Sequence, residues 1–236
     1  MKTTMDTSET PTRTTRTPAL VAGVGLLLMT VLAPLAIFGA VEGLVSEGNA
    51  TRTAQDILAS EGMFRFAVVA LVLVAILDVI VAWALFEFFK AAHEGLSALA
   101  AWLRIAYAAV FAVAISQLAG TLHLLSDAEY LKTFSTAQLH TEALLKIDAF
   151  NDIWNIGLVP FGLHLLLIGC LAYRSGYVPK PVGVLLAIAG IGYLVDSFGV
   201  LLASDYSANV AAFTGLGEAL FMVWLLAKGR SVAAGK

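Results

Sequence analysis

From residue 18 onward the chain is written in long apolar runs separated by short polar stretches, covering about 18–45, 64–89, 97–122, 153–173, 182–203 and 209–227. Each run meets or approaches the roughly 20 residues that a helix needs to cross a 30 Å hydrocarbon core. Helices are the element such runs predict, because an isolated strand would leave its backbone groups unpaired in lipid. The pattern therefore predicts an all-α fold: a polytopic transmembrane helical bundle with about six spanning helices.

The polar intervals differ from one another. Residues 1–17 hold eight threonines among scattered charges and Pro11, without apolar periodicity, and read as a disordered tail. The membrane domain then runs over 18–228, with a short tail at 229–236. The first run is too long for a signal-peptide core and lacks a clean cleavage site, so it reads as an uncleaved anchor. In the first outer loop, Thr53 with Asp56 suggests a helix N-cap, followed by Ile57 and Leu58 before Gly62. In the third, Ser135 with Gln138 suggests a capping box, and Leu139, Leu144 and Ile147 form an apolar stripe. A short amphipathic helix on the outer surface, or over the mouth of the bundle, is the expectation there.

Composition agrees with lipid as the solvent. Of 236 residues, 59% are hydrophobic and 13% charged, too few polar groups to cover a water-facing surface. A net charge of −3 argues against nucleic acid as a partner. The single cysteine, Cys170, lies inside an apolar run and excludes both an intrachain disulfide and a Cys-based metal cluster. Lys2, Arg13, Arg16, Lys90, Arg174, Lys180, Lys228, Arg230 and Lys236 fall on one side of a six-span arrangement. Arg52, Lys132 and Lys146, diluted by acids, fall on the other, with Arg65 at its edge. The positive-inside rule then puts both termini on the cytoplasmic side.

Ionisable groups at membrane depth are costly to insert and so are candidates for function. Four stand out: Asp78, His164, Asp196 and Glu218. Counting 1.5 Å per residue from the outer ends of their helices gives depths of roughly 21, 17, 10 and 14 Å. Ser116, Gln117 and Tyr193 belong to the same outer half, and Trp154 and Asn155 lie near the mouth. Together these predict a polar vestibule open to the outside. Pro160 frees a carbonyl one turn before His164. Gly192, Asp196 and Gly199 share a face that a neighbour can approach closely. His164 and Asp196, on helices joined by a short loop, are expected to face each other. Glu87 and Arg104, near the cytoplasmic ends of consecutive helices, are expected to form a structural ion pair.

Several sharper chemistries fail on spacing. His123 is at the edge of its span and cannot share a haem with the deeper His164. No HExxH or similar spacing supports zinc, although His164, Asp78, Asp196 and Glu218 carry suitable ligand atoms. Phosphate-binding and dinucleotide glycine patterns are absent, as is a nucleophile elbow. Cofactor, metal and oligomeric state are thus left unassigned.

From Ile57 onward the chain resembles a family of bacterial multi-pass membrane proteins catalogued as domain of unknown function 4386. The resemblance rests on ILASEGMFRF at 57–66, LDVIVAWALF at 77–86, LRIAYAAVFAV at 103–113 and, above all, the block FNDIWNIGLVPFGLHLLLIGCLAYRSGYVPKPVGVLLAIAGIGYLVDSF at 150–198. It implies a six-helix inner-membrane protein and brings no activity with it. The functional expectation is binding or transport of a small molecule or ion through the vestibule. The alternative is an intramembrane hydrolase, metal-assisted or not, built on His164 and Asp196.

Overall fold

A computed structural model describes residues 16–126, 128–203 and 205–229. The expected tails at 1–17 and 229–236 lie almost wholly outside them, and Arg16 and Thr17 already belong to the first helix. Among the described residues the chain is helical, without strands. The helices are α1 (Arg16–Ala36), α2 (Ala50–Ala59), α3 (Glu61–Leu124), α4 (Thr136–Ser175), α5 (Lys180–Leu202), α6 (Val210–Thr214) and α7 (Leu216–Ala227).

Five helical stretches are long and apolar enough to cross a membrane: Arg16–Leu44, Glu61–Leu124, Thr136–Ser175, Lys180–Leu202 and Val210–Ala227. The second, α3, has 64 residues and breaks at His93, whose φ of −166° and ψ of 101° are not helical. There the chain folds back on itself: the Ser97 hydroxyl donates to the Phe86 carbonyl at 3.0 Å. Two antiparallel arms result, so six crossings pass through the bundle. Large apolar side chains such as Val69, Ile76, Trp83, Trp102, Val113 and Ile191 point outward from it, as lipid allows and water would not.

Two crossings depart from regular geometry. Pro34 interrupts α1, which then widens into a π-helical turn (Ile37–Val41) and tightens again in a 3₁₀ turn (Glu42–Leu44). The last crossing is broken at Gly215 between α6 and α7. Such π-turns are rare and recur at functional sites.

The loops correct two local expectations. The cap of α2 is Asn49, whose side chain accepts from the Arg52 amide at 3.0 Å. Thr53, buried, instead ties to both backbone atoms of Ser46. The Ser135–Gln138 capping box forms as expected. The helix it opens does not stop at the surface but runs through Pro160 to Ser175, 40 residues or about 60 Å. The short amphipathic helix of the fold is therefore α2, buried through Thr53, Ala54 and Ile57.

Helices α4 and α5 meet backbone to backbone. A Cβ on Gly169 would stand 2.7 Å from the Ala187 amide and the Gly183 carbonyl, and one on Gly190 would stand 2.6 Å from the Gly162 carbonyl. This glycine face fixes how α4 is rotated. His164 lies two residues from Gly162, about 200° around the helix, and so points away from α5 toward α3. The face carrying Arg16, Gly229 and His93 is the termini side, and the opposite one the loop side.

Candidate functional site

The deepest polar group of the bundle is a cluster on α3 and α4. Arg104 on the second arm of α3 is 2% exposed, Asp78 on the first arm 0% and His164 on α4 1%. Arg104 Nη2 lies 2.7 Å from Asp78 Oδ1, an ion pair whose angle falls outside hydrogen-bond geometry. Arg104 Nη1 donates to His164 Nε2 at 3.2 Å. Because a guanidinium only donates, Nε2 must accept, and Nδ1–H then donates to the Ala100 carbonyl at 2.8 Å. The two contacts fix the neutral Nδ1–H tautomer of His164. Asp78 Oδ2 and Arg104 Nε have no hydrogen-bond partner among the described residues.

Arg104 therefore takes Asp78 and His164 in place of Glu87, which pairs with Lys90 close to the turn. The hairpin register explains it. If Ser97 meets Phe86, residue 104 must lie level with residues near 79, a little over two turns deeper than Glu87. His164 and Asp196 do not face each other either. Asp196 sits higher on α5, where it accepts from the Tyr206 hydroxyl at 2.6 Å and from the backbone amides of Val210 and Ala211 at 3.0 and 2.7 Å. The approaching neighbour is the 206–214 segment: Gly199 lies under the Tyr206 ring and Gly192 under Thr214. The Asp196 hydrogen bond holds the Tyr206 phenol above its usual range. Replacing Asp196 with alanine leaves both amides without an acceptor, and about 1–2 kcal/mol should be lost locally. Faster amide exchange at Val210 and Ala211, with α3 unchanged, is the expected readout.

Above the buried cluster, aromatic rings form a floor. The Phe161 ring lies 5.3 Å from the Arg104 guanidinium carbon, stacks obliquely on Tyr107 at 4.8 Å, and meets Tyr193 edge-on at 5.1 Å. Trp154 Nε1 donates to the Tyr107 hydroxyl at 3.2 Å. The half-buried Glu218 carboxyl lies beside the Tyr193 hydroxyl and within electrostatic reach of Arg104 and Asp78. Polar groups thus continue from the floor to the cluster.

On the loop side of this floor lies a cavity of about 560 Å³. Four of the expected residues line it: Trp154, Asn155, Tyr193 and Asp196, joined by Glu42 beside the π-turn. Asp78 and His164 are sealed beneath the floor and Glu218 stands behind Tyr193. Gln117 is elsewhere: between α3 and α4 it accepts from Lys146 Nζ at 3.0 Å, and its neighbour Ser116 points outward. Sequence reasoning passed over Tyr107, although it follows Arg104 by one helical turn on the buried stripe that continues to Phe111. It also passed over Tyr206, which only the fold of the last loop brings to Asp196. No group of three or more His, Cys, Asp or Glu side chains that could hold a metal occurs among the described residues.

The model of the family described as domain of unknown function 4386 (DUF4386) matches residues 21–229, nearly the whole chain. The chain belongs to this family. A relative of the chain, an uncharacterized protein from Archaeoglobus fulgidus, is 34% identical over 168 residues, covering 71% of the chain and 86% of the relative. No solved structure matches. The matched DUF4386 region contains every residue of the buried cluster, the floor and the cavity wall. It includes Tyr206 and the α6 segment, and it begins within α1.

Proposed function

We propose that this DUF4386 protein is a multi-pass protein of the inner (cytoplasmic) membrane that binds or moves a small molecule or ion through an outward-facing vestibule. One observation carries the reading. A cavity of small-molecule size opens on the loop side, and its floor leads by Tyr193, Glu218 and Tyr107 to a buried Arg104–Asp78–His164 cluster. Clefts of roughly 300–1,000 Å³ with a few convergent polar groups are the usual form of a small-ligand site. Both termini are cytoplasmic in this reading. Among the described residues the termini side holds Arg16, Lys90, Arg174, Lys180 and Lys228 against Arg52, Arg65, Lys132 and Lys146 on the loop side, and that small surplus supports the orientation.

A hydrolase built on His164 and Asp196 has no support in this geometry. His164 is engaged with Arg104 and Ala100, and Asp196 with Tyr206 and two amides, on different levels of the bundle.

The test uses a Cys170→Ala background and a single cysteine at Asn155 in the cavity wall. A membrane-impermeant thiol reagent added to intact cells should label Asn155→Cys and leave Ile156→Cys, which points outward, unlabelled. Labelling only after the membrane is opened would reverse the orientation. No labelling at Asn155→Cys under either condition would remove the vestibule.

A further inference from the structure

The wall of the cavity has one sign of charge. Glu42 and Asp196 belong to it, and no lysine, arginine or histidine does among the described residues. All three partners of Asp196 donate to it, as suits an ionised carboxylate. The nearest buried cation, Arg104, is offset by Asp78 at 2.7 Å and screened from the cavity by the Phe161 ring. An acid-lined cleft with low-dielectric walls concentrates cations and repels anions.

The wall is also aromatic: Phe38, Trp154, Tyr193 and Tyr206 all contribute to it. Ring faces attract cations that give up their hydration at little cost, quaternary ammonium groups above all. A hard metal ion fits less well. It asks for six or more oxygen ligands, whereas the Asp196 oxygens are already taken by three donors. We propose that the vestibule takes a small organic ammonium ion, held by aromatic faces with Glu42 and Asp196 as its counter-charge. This names the ligand class for the site proposed above and rests on that reading.

The experiment uses the Asn155→Cys, Cys170→Ala protein in the membrane and two thiosulfonate reagents of similar size, one ending in trimethylammonium and one in sulfonate. With each rate divided by that for free mercaptoethanol, the cationic reagent should label at least about tenfold faster, the lower end of what a charged cleft achieves. Choline should slow labelling. Its neutral isostere, 3,3-dimethylbutan-1-ol, should not. Glu42→Gln, at an exposed position where folding is not at stake, should lower the rate ratio. Equal normalised rates, a faster anionic reagent, or equal protection by the neutral alcohol would overturn the ammonium inference while leaving the vestibule standing. Failure of both reagents would overturn the two together.

Discussion

Changing Arg104 to methionine should cost about 3–5 kcal/mol of stability, the loss typical when one partner of a buried ion pair is removed. Asp78 would be left charged and unpaired at 0% exposure, and His164 Nε2 would lose its donor. Asp78→Leu alone should cost a similar amount by stranding the guanidinium. The informative variant is the double one. Once both charges are gone, no buried charge is uncompensated, and apolar side chains can fill the space between the two arms of α3. The double variant should recover most of the loss, short of the ~1–3 kcal/mol owed to the unsatisfied histidine nitrogen. Thermal unfolding of the purified protein followed by size exclusion reads all three. Additive losses in the double variant would mean that Asp78 and Arg104 do not act as a pair.

A second large effect is expected at the seam between α4 and α5. In Gly169→Val the new Cβ would meet the Ala187 amide and the Gly183 carbonyl at 2.7 Å, and Ala187 Cα at 3.1 Å. These are main-chain atoms on a neighbouring helix, so no side-chain rotation relieves the contact and the helices must separate. Overpacking of this kind costs about 1–3 kcal/mol, with the upper end expected where backbone has to move. The seam also sets the rotation of His164 toward Arg104, so the substitution should loosen the buried cluster as well. Gly62→Ala is the control: nothing lies within 4 Å of the added methyl. That exposed helical position should change stability by no more than about 0.5–1 kcal/mol, in the favourable direction. Equal losses for the two variants in the same unfolding assay would remove the close-packed seam from the account.

What the sequence made legible follows from length and periodicity. Six apolar runs of membrane-crossing length specify six crossings, and the Ser135–Gln138 box fixes the start of α4 because capping chemistry is local. The gathering of Trp154, Asn155, Tyr193 and Asp196 around one cavity also matches the depths counted along their helices. The partners of the buried charges were harder, since depth along a helix says nothing of rotation about it. Arg104 was nonetheless within reach. Reflecting the chain about the turn near His93 pairs residue 104 with residues near 79, and Asp78 is the acid there. His164 required the glycine seam, which depends on which of several glycines meet. The Asp196 cap required the path of the 203–209 loop, and no local pattern in the sequence encodes it.

The central claim is that water reaches from the loop side to a floor of rings and no further. A scan of single cysteines down α4 from Asn151 to Leu167, in the Cys170→Ala background, measures it directly with a small water-soluble thiol reagent. Reactivity should be high at Asn155 and Leu158, which line the cavity, and absent at Ile156 and Leu163, which point outward. It should stop at Phe161, leaving Leu165, at 3% exposure, silent until Phe161→Ala opens the floor. Reactivity spread evenly around the helix, or silence at both Asn155 and Leu158, would contradict a vestibule at this place in the fold.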